Sequence, residues 1–167
     1  ESRRSLEEQV SSAVQNLAPN LSALAGPILA ARLISRAGSL ARLAGMPSSR
    51  LQVMGAEKSL FKHLKGHAPS PKHGIIYRHP AVIGSPRRLR GRAARALAAK
   101  LAIAARLDAN GAGLSQDLRE SLDARLMQIR QGGRRQASRS LPDKDQIYIR
   151  SPDRRLIFRS WWADDSA

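Results

Sequence analysis

A chain of 167 residues with 29 Lys and Arg against 13 Asp and Glu carries a formal charge of +16, more than solubility asks for, and the excess points to a polyanion: nucleic acid first, an anionic membrane surface second. The length suits one domain, or one domain plus a tail, and with 42% hydrophobic but only 4% aromatic residues the core has to be aliphatic and alanine-rich. Zero cysteines exclude disulfides, thiolate metal sites and a cysteine nucleophile, and no apolar run approaches the roughly 20 residues of a membrane-spanning helix.

The chain opens Glu1-Ser2-Arg3-Arg4, with neither a methionine nor a signal peptide, which reads as a processed product or an excised fragment in a cytoplasmic setting. Leu6, Val10, Ala13, Val14 and Leu17 predict a helix over residues 5–17, broken by Pro19-Asn20. A longer helical stretch follows over 21–44, rich in alanine, with Gly26-Pro27 as a kink or boundary. Pro47 stops it, because its ring fixes φ and its nitrogen has no hydrogen to donate. Ser48 or Ser49 then caps the next segment, and Gly55 permits a tight turn into a helix over 56–64. That helix carries Lys58, Lys62 and the neighbouring Lys65 beside Leu60, Phe61 and Leu64, so it can bury one face and present cations on another.

Prolines and glycines make residues 68–85 a surface loop, with Gly74-Ile75-Ile76-Tyr77 as a short extended anchor. A strong helix is expected over 86–107, begun by Pro86. After a turn at 110–113, Leu114, Leu118, Leu122, Leu126 and Ile129 mark another amphipathic helix, ended by Gln131-Gly132-Gly133. The body is thus expected to be all-α with connecting loops, followed by an irregular C-terminal tail. The tail is basic and holds four of the six aromatic residues: Tyr148, Phe158, Trp161 and Trp162. Residues 147–150 and 154–159 can pair as a hairpin, but a lone hairpin is marginal in water, so a mobile segment is expected.

The helix over 86–107 carries the clearest functional pattern. At about 100° per residue, Arg88, Arg92, Arg95 and Arg106 fall on one narrow stripe, with Leu97, Leu101 and Ala104 opposite. The intervening Ala99 and Ala102 let an anion approach, and the planar arginine fork can give phosphate two hydrogen bonds at once. An ordinary solvated face would interleave glutamates, and this one has none. Lys58, Lys62, Lys65 and Lys72 form a second basic group. Singly they read as surface lysines; together, with His73 and Tyr77 beside them, they suit RNA, rings stacking on splayed bases while ammonium groups hold phosphates.

Catalysis is not expected. His63 and His67 have helix-neighbour spacing, but residues 58–86 contain no carboxylate or cysteine to complete a metal site. No base held by an acid is evident. Glu57 reads better as a carboxylate at a helix start, near favourable amides, than as a general base.

Several stretches in order resemble one family: Ala18-Pro19-Asn20-Leu21, Met46-Pro47-Ser48-Ser49, Gln52-Val53-Met54-Gly55-Ala56-Glu57-Lys58, Lys72-His73-Gly74-Ile75-Ile76-Tyr77, and Arg95-Ala96-Leu97-Ala98-Ala99-Lys100-Leu101 continuing to Asp108. They resemble the Nop domain of box C/D ribonucleoprotein core proteins, archaeal type, over roughly residues 6–129. The resemblance implies an all-α, non-enzymatic scaffold, without metal or cofactor, in an RNA-guided 2′-O-methylation particle. It implies recognition of a composite surface, a kink-turn RNA already bound by a kink-turn-binding ribosomal-type protein. By matching position, Lys72, Arg95 and Arg106 are the foremost RNA contacts, joined by Lys58, Lys62, His73, Arg88 and Arg92. Gly55, Ala56 and Phe61 are placed against the protein partner, although Gly55 and Ala56 equally suit tight packing within the domain.

The resemblance divides the chain into the end of a coiled-coil region at 1–20, the Nop domain at 21–131 and a basic tail at 132–167, which matches nothing in the family. Docking of the methyltransferase fibrillarin belongs to regions this sequence does not contain. Arg87-Arg88, where bulkier or aromatic residues are expected, and Pro27, inside a family helix, depart from the pattern. The alternatives are a basic helical nucleic-acid binder without a protein partner, a splicing-related Nop domain, and a nuclease or RNA-modifying enzyme, for which no constellation is found.

Overall fold

The computed structural model describes the backbone of residues 2–138 and the side chains of residues 2–132. The hairpin expected over 147–150 and 154–159, with the mobile segment around it, lies outside the described residues. Within them the chain is all-α, as expected: α1 (Ser2–Leu17), α2 (Pro19–Ala25), α3 (Pro27–Ala37), α4 (Leu40–Gly45), α5 (Ser48–Val53), α6 (Glu57–Leu64), a 3₁₀ turn (Ile75–Arg78), α7 (Pro80–Ile83), α8 (Arg90–Ala109) and α9 (Asp117–Ser138).

The long helix expected over 21–44 is three helices. Gly26 (φ +81°) and Gly38 (φ +90°) adopt a backbone region that is cheap only for glycine, and each ends a helix there. Gly26-Pro27 is a boundary, as one of the two expected readings has it, with Pro27 starting α3; α1 ends at Leu17 as expected, and Pro19 starts α2. Both prolines sit where a helix leaves its amides unpaired, so the missing N–H costs nothing. Three further expectations fail. Neither Ser48 nor Ser49 caps α5; Pro47 occupies the cap, with no side-chain bond. Residues 75–78 wind into a 3₁₀ turn instead of extending. The backbone of α9 runs through Gly132 and Gly133 to Ser138, because glycine costs a helix only about 1 kcal/mol and does not forbid it.

α8 is the axis of the core. Ala93, Ala94, Leu97, Ala98, Leu101, Ala102, Ala104, Ala105 and Asp108 are all buried, and α2, α4, α5 and α7 pack against this helix. Its alanines let those backbones come close, while Leu21, Leu33, Leu43, Leu51 and Ile76 fill the space between. Val14 and Ala18, and Leu122 and Leu126 of α9, join the same apolar cluster.

A buried polar clamp fixes the ends. α2 has no side-chain cap of its own. Instead Asp108 accepts from the amides of Asn20 (3.0 Å) and Leu21 (2.8 Å) and from Asn20 Nδ2 (2.8 Å). Asn20 Nδ2 also donates to Gly113 O, and Asn20 Oδ1 accepts from Ser115 N, which pins the loop leading into α9. Every group in this clamp has a partner, so burial leaves no orphaned donor or acceptor.

Candidate nucleic-acid interface

The loop before the 3₁₀ turn is laid along the end of α5. Gln52 Nε2 donates to Lys72 O (2.7 Å), Gly74 N donates to Gln52 O (2.8 Å), and Ile75 N donates to Met54 O (2.8 Å). The approach is so close that a Cβ on Gly74 would overlap the Met54 carbonyl. Gly55 has φ +87°, and a Cβ there would lie 2.5 Å from Ile75 Cγ2. Its glycine is therefore required by packing inside the domain, whatever else touches its exposed side.

This docking carries Lys72 onto the first turn of α8, where its side chain lies over Gly91; an added Cβ on Gly91 would stand 3.4 Å from Lys72 Cβ. Arg92 and Arg95, both exposed, follow at once on the same helix. Sequence-distant cations thus meet at one end of α8.

His73 stacks on Tyr77, ring centroids 4.6 Å apart. Arg90 lies 5.5 Å from the Tyr77 ring centroid and donates to Tyr77 Oη and Ser85 O, each at 3.2 Å. Tyr77 therefore spends its ring on internal partners rather than offering a free stacking platform. Burial, followed by the Arg90 guanidinium, pushes the His73 pKa below its ordinary value of 6.5, with Lys72 adding to the effect. At neutral pH His73 offers a ring, not a positive charge.

Two grooves flank this end of α8. One, of about 680 Å³, runs between α8 and α9 and is lined by Arg92, Arg95, Lys100 and Arg125 above a floor of alanines, with no carboxylate. The other, of about 660 Å³, reaches from Arg36 and Arg50 past Phe61 to Ser70 and Pro71. Arg95 lines both.

Beside the second groove, α6 has no buried residue, and Phe61 and Leu64 are 62% and 71% exposed. The helix is fastened at its start. Glu57 accepts from Gly55 N (2.7 Å) and pairs with Arg36 (3.4 Å). Its pKa is lowered by the amides of Glu57 and Gly55, and by Arg36; this is the helix-start carboxylate the sequence implies. Ala56 is the N-cap position, and Lys58 and Lys62 are exposed but line neither groove.

The expected arginine stripe is not continuous. α8 begins at Arg90, so Arg88 sits in the turn before it, exposed. Ala102 is only 3% exposed, covered by packing on α8 rather than open to an anion. Arg106 stands roughly 16 Å beyond Arg95 along the helix axis and donates to Ala44 O at 3.2 Å. The structure therefore gathers Lys72, His73, Arg92 and Arg95, and leaves Arg106, Lys58 and Lys62 apart. Sequence reasoning missed Lys100, Arg125 and Arg90, since their roles depend on which helices lie side by side.

Among the described residues no group of three or more His, Asp or Glu could hold a metal ion, and no helix is long and apolar enough to cross a membrane. His63 Nδ1 bonds Ala68 O at 2.9 Å, a local tie across the end of α6.

Residues 1–128 match the family described as Nop, the snoRNA binding domain, fibrillarin. The chain is 51% identical over 130 residues to a NOP5 family protein of Methanocaldococcus jannaschii, covering 78% of this chain and 31% of the relative. It is 47% identical over 108 residues to nucleolar protein 56 of Dictyostelium discoideum, covering 65% and 20% respectively. Among solved structures it resembles a chain in the crystal structure of a fibrillarin/Nop5p complex, with TM-score 0.64 and 38% identity over 76% of this chain and 48% of that one. The chain spans about a fifth to a third of the length of these curated relatives.

Proposed function

The chain belongs to the Nop family, and from that premise we propose that it is a non-enzymatic RNA-binding scaffold module of a box C/D ribonucleoprotein. In this reading it recognises a kink-turn RNA together with the kink-turn-binding protein already seated on it. The observation that carries the proposal is the convergence of Lys72, Arg92 and Arg95 at the start of α8, all exposed, with Arg92 and Arg95 bordering a groove without carboxylates. Phosphates approaching there meet cations held by a rigid helix, and the loop supplies the His73 ring for an unstacked base. The exposed apolar residues of α6 supply a separate contact for the protein. Neither surface is large, so tight binding requires both at once, and the module acts as a coincidence detector.

The test is a gel shift at physiological salt with a kink-turn RNA, the same RNA carrying its kink-turn protein, and a plain duplex. A stable shift only when RNA and protein are both present is the expected result. Arg95→Ala should weaken it roughly tenfold and lower the salt slope by about one, and Arg106→Ala, away from the convergence, should weaken it less. Equal binding to every RNA, indifferent to the protein, overturns the proposal in favour of a general basic helical binder.

A further inference from the structure

The cleft between α8 and α9 holds two cations, Lys100 and Arg125, outside the convergence described above. We infer that this cleft is a second phosphate-binding track for the same RNA, with Lys100 on one wall and Arg125 on the other. The inference rests on the RNA-binding reading.

Four observations carry it. Arg92 and Arg95 line the cleft itself, and Arg95 also lines the neighbouring groove that reaches Ser70 and Pro71, so a backbone held at the start of α8 already meets two of the cleft's cations. Each new cation is steered by a neutral partner: Lys100 Nζ donates to Ser121 Oγ (2.6 Å) and Arg125 Nη1 donates to Gln128 Oε1 (2.9 Å). Those bonds orient the charges without neutralising them. None of the α9 carboxylates Asp117, Glu120 and Asp123 lines the cleft, and Asp123 lines a different cavity with Arg119 and His79. Finally, the floor is made of Ala96, Ala99 and Ala124, which leaves room for a chain of phosphates.

Length and chemistry select the occupant. Arg92 to Lys100 spans roughly 12 Å along α8, and Ser121 to Gln128 roughly 10 Å along α9, too long for one anion and suited to several linked phosphates. A partner helix would need apolar purchase, yet the one large apolar side chain lining the cleft, Ile129, is only 9% exposed. Polyanion backbone fits where an apolar protein surface does not.

The experiment measures affinity against salt for the full chain, using a kink-turn RNA with an extended stem, its kink-turn protein, and the bare stem alone. Lys100→Gln and Arg125→Gln keep the size and polarity of exposed or half-buried side chains, and thermal melting checks that each still folds. Each variant should lose roughly tenfold in affinity and lower the salt slope by about 0.7–0.9. Unchanged affinity and slope overturn the track while leaving the composite-surface proposal standing. Lost binding to the kink-turn protein with an unchanged RNA slope also overturns it, and assigns the cleft to an acidic protein surface. If the wild type shows no preference for the composite, that proposal fails, and the slopes on the bare stem decide the cleft separately.

Discussion

α8 and α6 both carry cations toward solvent, yet they are built in opposite ways. α8 buries nine of its residues and has helices packed around it; α6 buries none and is fastened at its start through Glu57. On α8 the exposed arginines inherit the rigidity of the core, so their positions are fixed before any ligand arrives. On α6 Phe61 and Leu64 face water, and in the proposed reading their burial is left to a partner. One helix is a platform and the other is a plug.

The largest way to break this contrast is to hollow the platform. Leu97 is fully buried in α8, and Leu97→Ala should cost about 2–5 kcal/mol, since the lost side chain leaves a cavity that close-packed alanines cannot collapse into. Urea denaturation measures the loss, and RNA affinity should fall with it as the Arg92–Arg95 geometry loosens. A change below about 1 kcal/mol would mean that α8 is not the axis of the core.

A milder way is acid. His79 accepts from Ala81 N through Nδ1 (3.1 Å) and bonds Leu24 O through Nε2 (3.0 Å), so the neutral Nε2–H form ties α7 to α2, two of the helices packed on α8. Burial holds its pKa below the ordinary 6.5, against the opposing pull of the Leu24 carbonyl; Arg119 lowers it further and Asp123 raises it. Arg130 lines the same cavity. The folded state therefore takes up the proton less readily than the unfolded chain. Stability is complete above pH 6.5 and is lost as pH falls through the depressed folded value. His73 shifts the same way but is less enclosed, and Glu57, held below 4.5, stays charged through the window. Melting temperature followed from pH 8 to 5 should show the decline, and His79→Gln should flatten it. An equally steep decline in the variant would remove His79 from the account.

The same contrast explains what the sequence disclosed. The apolar period of α9 and the alanine-rich run of α8 announced helices that bury a face, and the burial of Leu97, Leu101, Leu122 and Leu126 follows from it. Helix ends were read less well. Pro19 and Pro27 resemble breakers in a string of letters and serve as first-turn residues in the fold. The arginine stripe was half legible, because periodicity says which residues share a face but not which neighbour covers it; Ala102 lost its exposure to packing that leaves no local trace. Asp108, 88 residues from Asn20, caps a helix it does not belong to. No local pattern marks such a cap, nor the pairing of Lys100 with Ser121 across the α8–α9 cleft.

The smallest effect on stability, and the sharpest on the comparison, belongs to the plug. Phe61 is 62% exposed, so Phe61→Ala removes little that the fold has buried and should change stability by no more than about 0.5 kcal/mol. If α6 is reserved for the kink-turn protein, the same substitution should weaken binding to the RNA–protein composite by more than about 1 kcal/mol, as expected for a central aromatic contact. Binding to bare RNA should keep its affinity and salt slope, because no cation is lost. Arg95→Ala should do the reverse, lowering the salt slope on bare RNA and composite alike. The two helices then separate in a single set of titrations. Should Phe61→Ala and Arg95→Ala weaken both kinds of binding in the same proportion, platform and plug would form one undivided surface, and the two-contact account of recognition would fail.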